Sequence, residues 1–368
     1  MTNGDGMKRF VGFEKGMGIG GWLTNYKRFN VLPMEWRFPI TIGDMEHFEA
    51  YITRRDVDYI KSLGLDHIRL GFDQVVVEES AGVYRERIFE IIERFIGWCR
   101  DAGLNLVLNM HKAIGNYCDI KEDVQLLDSA ELQERFIAVW LEFEKRFHGY
   151  PEVAFELLNE VRNVDPEKWN VLAKKTIAEI RKLNPNRLII IGSICWNSPH
   201  HVKDLTGYDD DIVFTWHNYA PNEFTHQRGV LQAPQLYYNR DMPYPCDDIE
   251  RYRDFQRVVH GAKNPYPNYN RMDIQYLRDT LAPVFQYQAE HPDRIVWCGE
   301  FGTIRHAKIE WREAYMADMI RLLIEHETPY CVWNYLSTPN DGNRFSLVDD
   351  DRREILSKRL ADIIVGRV

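Results

Sequence analysis

Residues Ala154–Arg162 read AFELLNEVR, an apolar run that closes on an amide and a carboxylate, Asn159 and Glu160. A short apolar segment bounded by turn residues is the signature of a buried strand. A carboxylate at the end of such a strand is poorly solvated, which disfavours its charged form and raises its pKa. General acids are made in this way. The same residue could also cap the following helix or pair with Arg162, so the rest of the chain has to decide.

The pattern extends on both sides. Upstream, Thr53–Leu63 (TRRDVDYIKSL) places Val57, Ile60 and Leu63 on one helical face and ends at Gly64. Leu65–Phe72 (LDHIRLGF) follows as a strand with Arg69 near its end. A helix over Arg85–Ala102 stops at Gly103, Leu104–His111 (LNLVLNMH) is a strand ending in His111, and Ala130–His148 is a helix. Downstream come a helix over Glu167–Leu183, a strand at Arg187–Ser193 and a strand at Asp211–Tyr219 (DIVFTWHNY) carrying His217. Then follow a helix over Arg271–His291, a strand at Arg294–Gly302 (RIVWCGEFG) with Glu300, and a helix over Glu310–Glu325. Pro329–Leu336 (PYCVWNYL) is a strand with Trp333, and Arg352–Ile364 closes the chain.

With the glycine-rich Lys15–Leu23 as the first, these make about eight strands, nearly all followed by helices, which predicts parallel βαβ units. The fold class expected is therefore α/β, a (β/α)8 TIM barrel in a single domain over residues 1–368. One irregular region, Asn218–Asn270, is rich in proline and aromatics and falls between the sixth and seventh strands. A structureless loop of this length is usually functional, and this one is expected to cover one side of the barrel mouth.

Composition narrows the function. The 368 residues are 45% apolar and 28% charged, the balance of a globular protein with ample core. A net charge of -10 without basic blocks argues against nucleic acid and anionic membrane as partners. Six scattered cysteines form no CxxC pair, and Cys195, Cys298 and Cys331 read as buried thiols within apolar strands. No signal-peptide core and no membrane-length apolar run stand out, so a cytoplasmic location is expected unless a leader has been removed. Gly16, Gly18 and Gly21 match GxGxxG, but no amphipathic helix follows them. A close-packed first strand explains them better than a nucleotide site.

In such barrels the site lies at the C-terminal ends of the strands. The residues expected there are Arg69, His111, Asn159, Glu160, His217, Tyr219, Glu300 and Trp333. Each alone has a structural explanation; their convergence on one rim suggests glycoside hydrolysis. That reaction needs one carboxyl to protonate the leaving oxygen and another to attack the anomeric carbon or activate water. Glu160 and Glu300, from strands 4 and 7, can reach one sugar from opposite sides. Arg69 and Tyr219 would keep Glu300 ionised, Asn159 would meet the sugar 2-hydroxyl, and Trp333 would carry a pyranose face. Two rivals remain. A metal hydrolase could use His111, His217 and the glutamates, although no HxH or HxxxH pair is present. A non-catalytic sugar-binding barrel would keep the aromatics without needing two facing carboxylates.

These residues resemble glycoside hydrolase family 5, the retaining, cellulase-type family of clan A, along essentially the whole chain. VAFELLNEVR at Val153–Arg162 resembles its acid/base signature, with Val161 where proline is usual. WCGEFG at Trp297–Gly302 resembles its nucleophile strand. IRLGF at Ile68–Phe72, HKAIGNY at His111–Tyr117, HNY at His217–Tyr219 and GIGGWL at Gly18–Leu23 resemble its strand-2, strand-3, strand-6 and strand-1 segments. VWNY at Val332–Tyr335 resembles its strand-8 tryptophan segment, with Asn334 where serine is frequent.

The resemblance implies Glu160 as acid/base and Glu300 as nucleophile. Arg69, His111, Asn159, His217, Tyr219 and Trp333 would then shape the subsite of the attacked sugar. It implies a retaining β-glycosidase without metal or organic cofactor, acting on a β-linked oligo- or polysaccharide. An endo-β-1,4-glucanase is expected first, with a β-mannanase, β-1,3-glucanase or exo-acting β-glucosidase as alternatives. The long loop suggests a walled cleft suited to short oligosaccharides.

Overall fold

A computed structural model of the chain describes residues 8–26, 40–117, 125–230, 233–338, 341–350 and 352–368. It contains the closed parallel barrel that the alternation predicts. The strands are β1 (Lys15–Leu23), β2 (His67–Asp73), β3 (Asn105–Lys112), β4 (Val153–Glu156), β5 (Ile189–Gly192), β6 (Val213–Asn218), β7 (Val296–Phe301) and β8 (Tyr330–Val332). They pair in sequence order, and β8 closes on β1 through Lys15 opposite Tyr330.

Two layers of packing hold it. Inside the barrel, Val107, Ala154, Ile190, Val213, Trp297 and Cys331 form a compact cluster that Phe10 and Phe13 plug from one end. Outside, the second face of each strand packs against helices through a much larger apolar core. Burial on both faces is why the strands read as continuous apolar runs. The helices start where the sequence offers caps. Thr41 and Thr53 each form a reciprocal box with an aspartate three residues on, a feature worth about 1 kcal/mol.

The structure corrects several boundaries. β4 stops at Glu156, so Asn159 and Glu160 lie past its end. The closing helix covers only Lys358–Ile364. The region between β6 and the helix Ile274–Glu290 is not structureless: it carries helices at Asn222–Thr225, Ala233–Tyr238 and Ile249–His260. In the last of these, Ile249, Tyr252 and Phe255 recur every third residue and face inward, a period hidden by the surrounding prolines and tyrosines. Cys195 is also corrected. It is half-exposed in a turn after β5, whereas Cys298 and Cys331 are buried strand residues. Cys118 lies outside the described residues.

Candidate active site

Arg69 is fully buried on β2. Its Nε donates to Glu156 Oε2 at 2.5 Å, and its Nη2 donates to Glu156 Oε1 and Asn159 Oδ1, both at 2.8 Å. Its Nη1 donates to Glu300. Burial opposes the guanidinium charge, but Glu156 and Glu300 overcompensate and hold its pKa above the usual arginine value. Three strands are thus tied by one planar donor, a geometry for which lysine has no substitute. Glu156 was missed by sequence reasoning. The signal was there: it has the same parity on β4 as Ala154, which faces the barrel interior.

Glu300 reaches the same interior through a bulge. Thr215 pairs with Trp297 and Trp216 with Cys298, but His217 pairs with Glu300, so Gly299 is an extra residue on β7. A Cβ on Gly299 would come within 2.4 Å of Thr215 Oγ1. The bulge brings Glu300 beside Tyr219, whose hydroxyl donates to Glu300 Oε2 at 2.8 Å. Burial first, then the charges of Glu300 and Glu160, push the Tyr219 pKa well above 10, so it remains a donor.

Glu160 faces Glu300 from the loop after β4, with a left-handed backbone (φ 49°). Such a conformation is costly for a non-glycine residue and marks a position held by its surroundings. Between the two glutamates sits His217, its Nδ1 3.1 Å from Glu160 Oε1 and 3.7 Å from Glu300 Oε2. Burial depresses its pKa to about 4. The Asn197 amide nitrogen lies 3.2 Å from its Nε2. With the amide donating there, the neutral ring carries its proton on Nδ1, towards the carboxylates.

Asn197 ends a second unusual segment. Cys195, Trp196 and Asn197 all have left-handed φ, at 56°, 58° and 54°. Each non-glycine residue so held costs roughly 1–2 kcal/mol. The turn is fastened to the Glu160 loop: Trp196 N–H donates to the Val161 carbonyl at 2.9 Å and Cys195 N–H to the Arg162 carbonyl at 3.3 Å.

On the other flank, Trp333 follows β8 and stacks on His111, with ring centroids 5.2 Å apart and planes within 9°. Burial, with Lys112 and Arg69 nearby, keeps His111 well below its usual pKa, hence neutral. Gly18 and Gly20 back the indole; a Cβ on either would sit 2.7 Å from it. Behind Tyr219, His226 and Phe345 pack edge-on, with centroids 5.1 and 5.5 Å from the phenol ring.

All eight residues singled out from the sequence therefore meet at this rim. Glu160, Glu300, His111, His217, Tyr219 and Trp333 line a cleft of about 610 Å³. Arg69 and Asn159 lie beneath it, with Asn159 Nδ2 buried and without a hydrogen-bond partner among the described residues. Among the described residues, Glu160, His217 and Glu300 are the group that could together reach a metal, since one ligating atom of each lies within 4.8 Å of the others. A metal held there would displace the 3.1 Å contact between His217 Nδ1 and Glu160 Oε1. Glu300 is moreover already engaged by Arg69 and Tyr219. Two carboxyl groups facing each other this closely suit double displacement, which takes ~5–5.5 Å, rather than inversion, which needs at least ~6.5 Å for a water.

A closed parallel barrel bearing this facing pair at its C-terminal rim defines a (β/α)8 glycoside hydrolase of the retaining type. Comparison with known proteins places it further. The family model described as cellulase, glycosyl hydrolase family 5, matches residues 32–338, and the chain belongs to that family. Endoglucanase C of Acetivibrio thermocellus is 33% identical over 365 residues, covering 97% of this chain and 99% of that protein. Cellodextrinase A of Ruminococcus flavefaciens is 32% identical over 236 residues, 62% of this chain and 65% of that protein. Among solved structures, a hyperthermophilic endo-β-1,4-glucanase in complex with substrate superposes with a TM-score of 0.73 at 21% identity, covering 96% of this chain and 97% of that one. Among the described residues, no helix is long and apolar enough to cross a membrane.

Proposed function

We propose that the chain is an endo-β-1,4-glucanase-type hydrolase of β-linked glucan and gluco-oligosaccharides, working by double displacement as one catalytic unit over residues 1–368. The observation that carries this reading is the Glu160–Glu300 pair, with oxygens within 4.8 Å of each other at the barrel rim. Glu300 receives Arg69 and Tyr219, two donors that stabilise a carboxylate. It is the nucleophile that attacks the anomeric carbon. Glu160 lies 3.1 Å from Nδ1 of the neutral His217 imidazole. It gives its proton to the leaving oxygen, then takes one from the water that hydrolyses the glycosyl-enzyme.

The remaining residues position the sugar. Asn159, its Oδ1 fixed by Arg69, points its unpartnered amide group at the 2-hydroxyl, a contact that tightens in the transition state. Trp333 and His111 form the wall against the attacked pyranose. The choice of a β-1,4-glucan is supported by the near full-length similarity to an endoglucanase, and that of short chains by the partial similarity to a cellodextrinase.

Azide rescue tests the assignment of roles. Glu300→Ala with azide and an activated β-cellobioside should yield the α-cellobiosyl azide, because azide replaces the nucleophile. Glu160→Ala should yield the β-azide from an intact glycosyl-enzyme. The same azide anomer from both variants would overturn the assignment.

A further inference from the structure

We infer that Arg312, with Thr303 and Ser346, forms a binding site for one small monovalent anion of the size of chloride, between the loops that follow β7 and β8.

Arg312 lies near the start of the helix Ile309–Glu325 and is only 2% exposed. A buried charge is costly unless it is paired or binds an ion. Arg69, buried as deeply, holds two glutamates. Arg312 holds none. Its Nε donates to Thr303 Oγ1 at 3.1 Å and its Nη2 to the Ser346 carbonyl at 2.9 Å, both neutral groups. The charge that acts on it is another cation, Arg305, which together with burial presses its pKa down to about 9. It therefore stays protonated at neutral pH. The acids of the loop after β8 are engaged elsewhere. Asp350 receives Arg305 at 3.1 Å and also Arg344. Asp349 accepts from the Arg352 N–H at 3.0 Å.

What surrounds this charge is a set of donors. Thr303 and Ser346 are fully buried. The Thr303 hydroxyl accepts from Arg312, and the Ser346 hydroxyl accepts from Arg305 Nη1 at 3.5 Å. A hydroxyl that accepts still has its own proton to give, and among the described residues neither proton has an acceptor. Arg312 Nη1 likewise meets no acceptor among them. Buried donors in native proteins are satisfied; here a single anion satisfies them and the charge together. Charge balance sets its valence, since one guanidinium is uncompensated. Burial of all three side chains sets its size, which favours a halide over phosphate or sulfate. Arg305, with a quarter of its side chain exposed, marks the way in.

The ion would fasten two segments of the cleft wall. Thr303 lies just beyond Glu300 at the exit of β7. Ser346 adjoins Phe345, whose ring packs edge-on against Tyr219. Anion binding thus ties the strand that carries Glu300 to the loop that braces its hydrogen-bond donor.

Thermal unfolding of the full chain tests the site, with sodium chloride exchanged for sodium gluconate at constant ionic strength. A ligand bound only by the folded state raises the midpoint as it saturates. Chloride should raise it by about 2–4 °C or more along a saturating curve, and Arg312→Met should abolish the response. An unchanged midpoint in the parent overturns the site. So does an equal rise in a sodium sulfate series, which marks a general salt effect, or a chloride response that survives in Arg312→Met. Anomalous diffraction from parent crystals grown in sodium bromide gives the answer without a variant. A bromide peak within hydrogen-bonding reach of Arg312 Nη1 is expected, and its absence overturns the proposal.

Discussion

Arg69 and Arg187 are both fully buried guanidiniums that grip a glutamate, and they do opposite work. Arg187 lies near the N-terminal ends of the strands. It donates to Glu144 at 2.6 and 3.2 Å and to the carbonyls of Phe147, Tyr150 and Val153 at 2.8, 3.0 and 2.6 Å. One positive charge meets one negative, every donor is used, and nothing faces solvent. Arg69, at the other end, meets two carboxylates, so its cluster carries an excess negative charge, and Glu300 turns one oxygen towards the cleft. The lesson is that a buried ion pair becomes reactive when its charges are left unequal and one partner is given an opening. Polarity alone does not distinguish them.

The largest test of this contrast is Glu300→Ala, which should cut kcat on cellotetraose by roughly 10⁴-fold or more. Its denaturant midpoint should change little by comparison. Next come the two arginines. Arg187→Met strands Glu144 and should destabilise the fold by about 3–5 kcal/mol, while kcat per folded molecule stays near the parent value. Arg69→Met should lose both stability and kcat. Urea melts paired with active-site titration read the two quantities, and a kcat loss at Arg187 as large as that at Arg69 would break the contrast. Tyr219→Phe removes one donor from Glu300 and should cost kcat about 10²-fold.

The smallest effect is on stability against pH. His217 and His226 are held by burial at pKa values of about 4, below the ~6.5 of an unfolded histidine. Between those values the unfolded chain binds protons that the folded chain does not. Stability is therefore complete above pH ~6.5 and declines as pH falls towards about 4, by on the order of 1–3 kcal/mol per imidazole. Urea midpoints at pH 7, 6 and 5 measure the slope, and His226→Asn should flatten it.

The comparison also explains what the sequence displayed and what it concealed. The barrel was legible because strands buried on both faces are apolar throughout, and polar residues closing them stand out, as Arg69, His111 and His217 do. Glu156 does not stand out, because the apolar run continues past it to Glu160 and masks its inward parity. Counting alternate residues from the inward Trp297 would turn Glu300 outward; only the extra Gly299 brings it in. Trp196 lay hidden in the apolar string IGSICW, which gives no hint of three left-handed residues. The helices of the region after β6 were masked by prolines that here cap and connect.

The glycines of β1 carry one more consequence. Gly18 and Gly20 contribute no atoms to the cleft, yet they are the space into which the Trp333 indole fits. Their backbones need no special conformation; what matters is vacancy. A single methyl at Gly20 would push the indole forward and narrow the slot for the sugar, altering which ring shapes are admitted while leaving every charge and proton donor in place. Part of the specificity of this enzyme is thus written as missing volume, on a strand that presents no chemistry to the substrate.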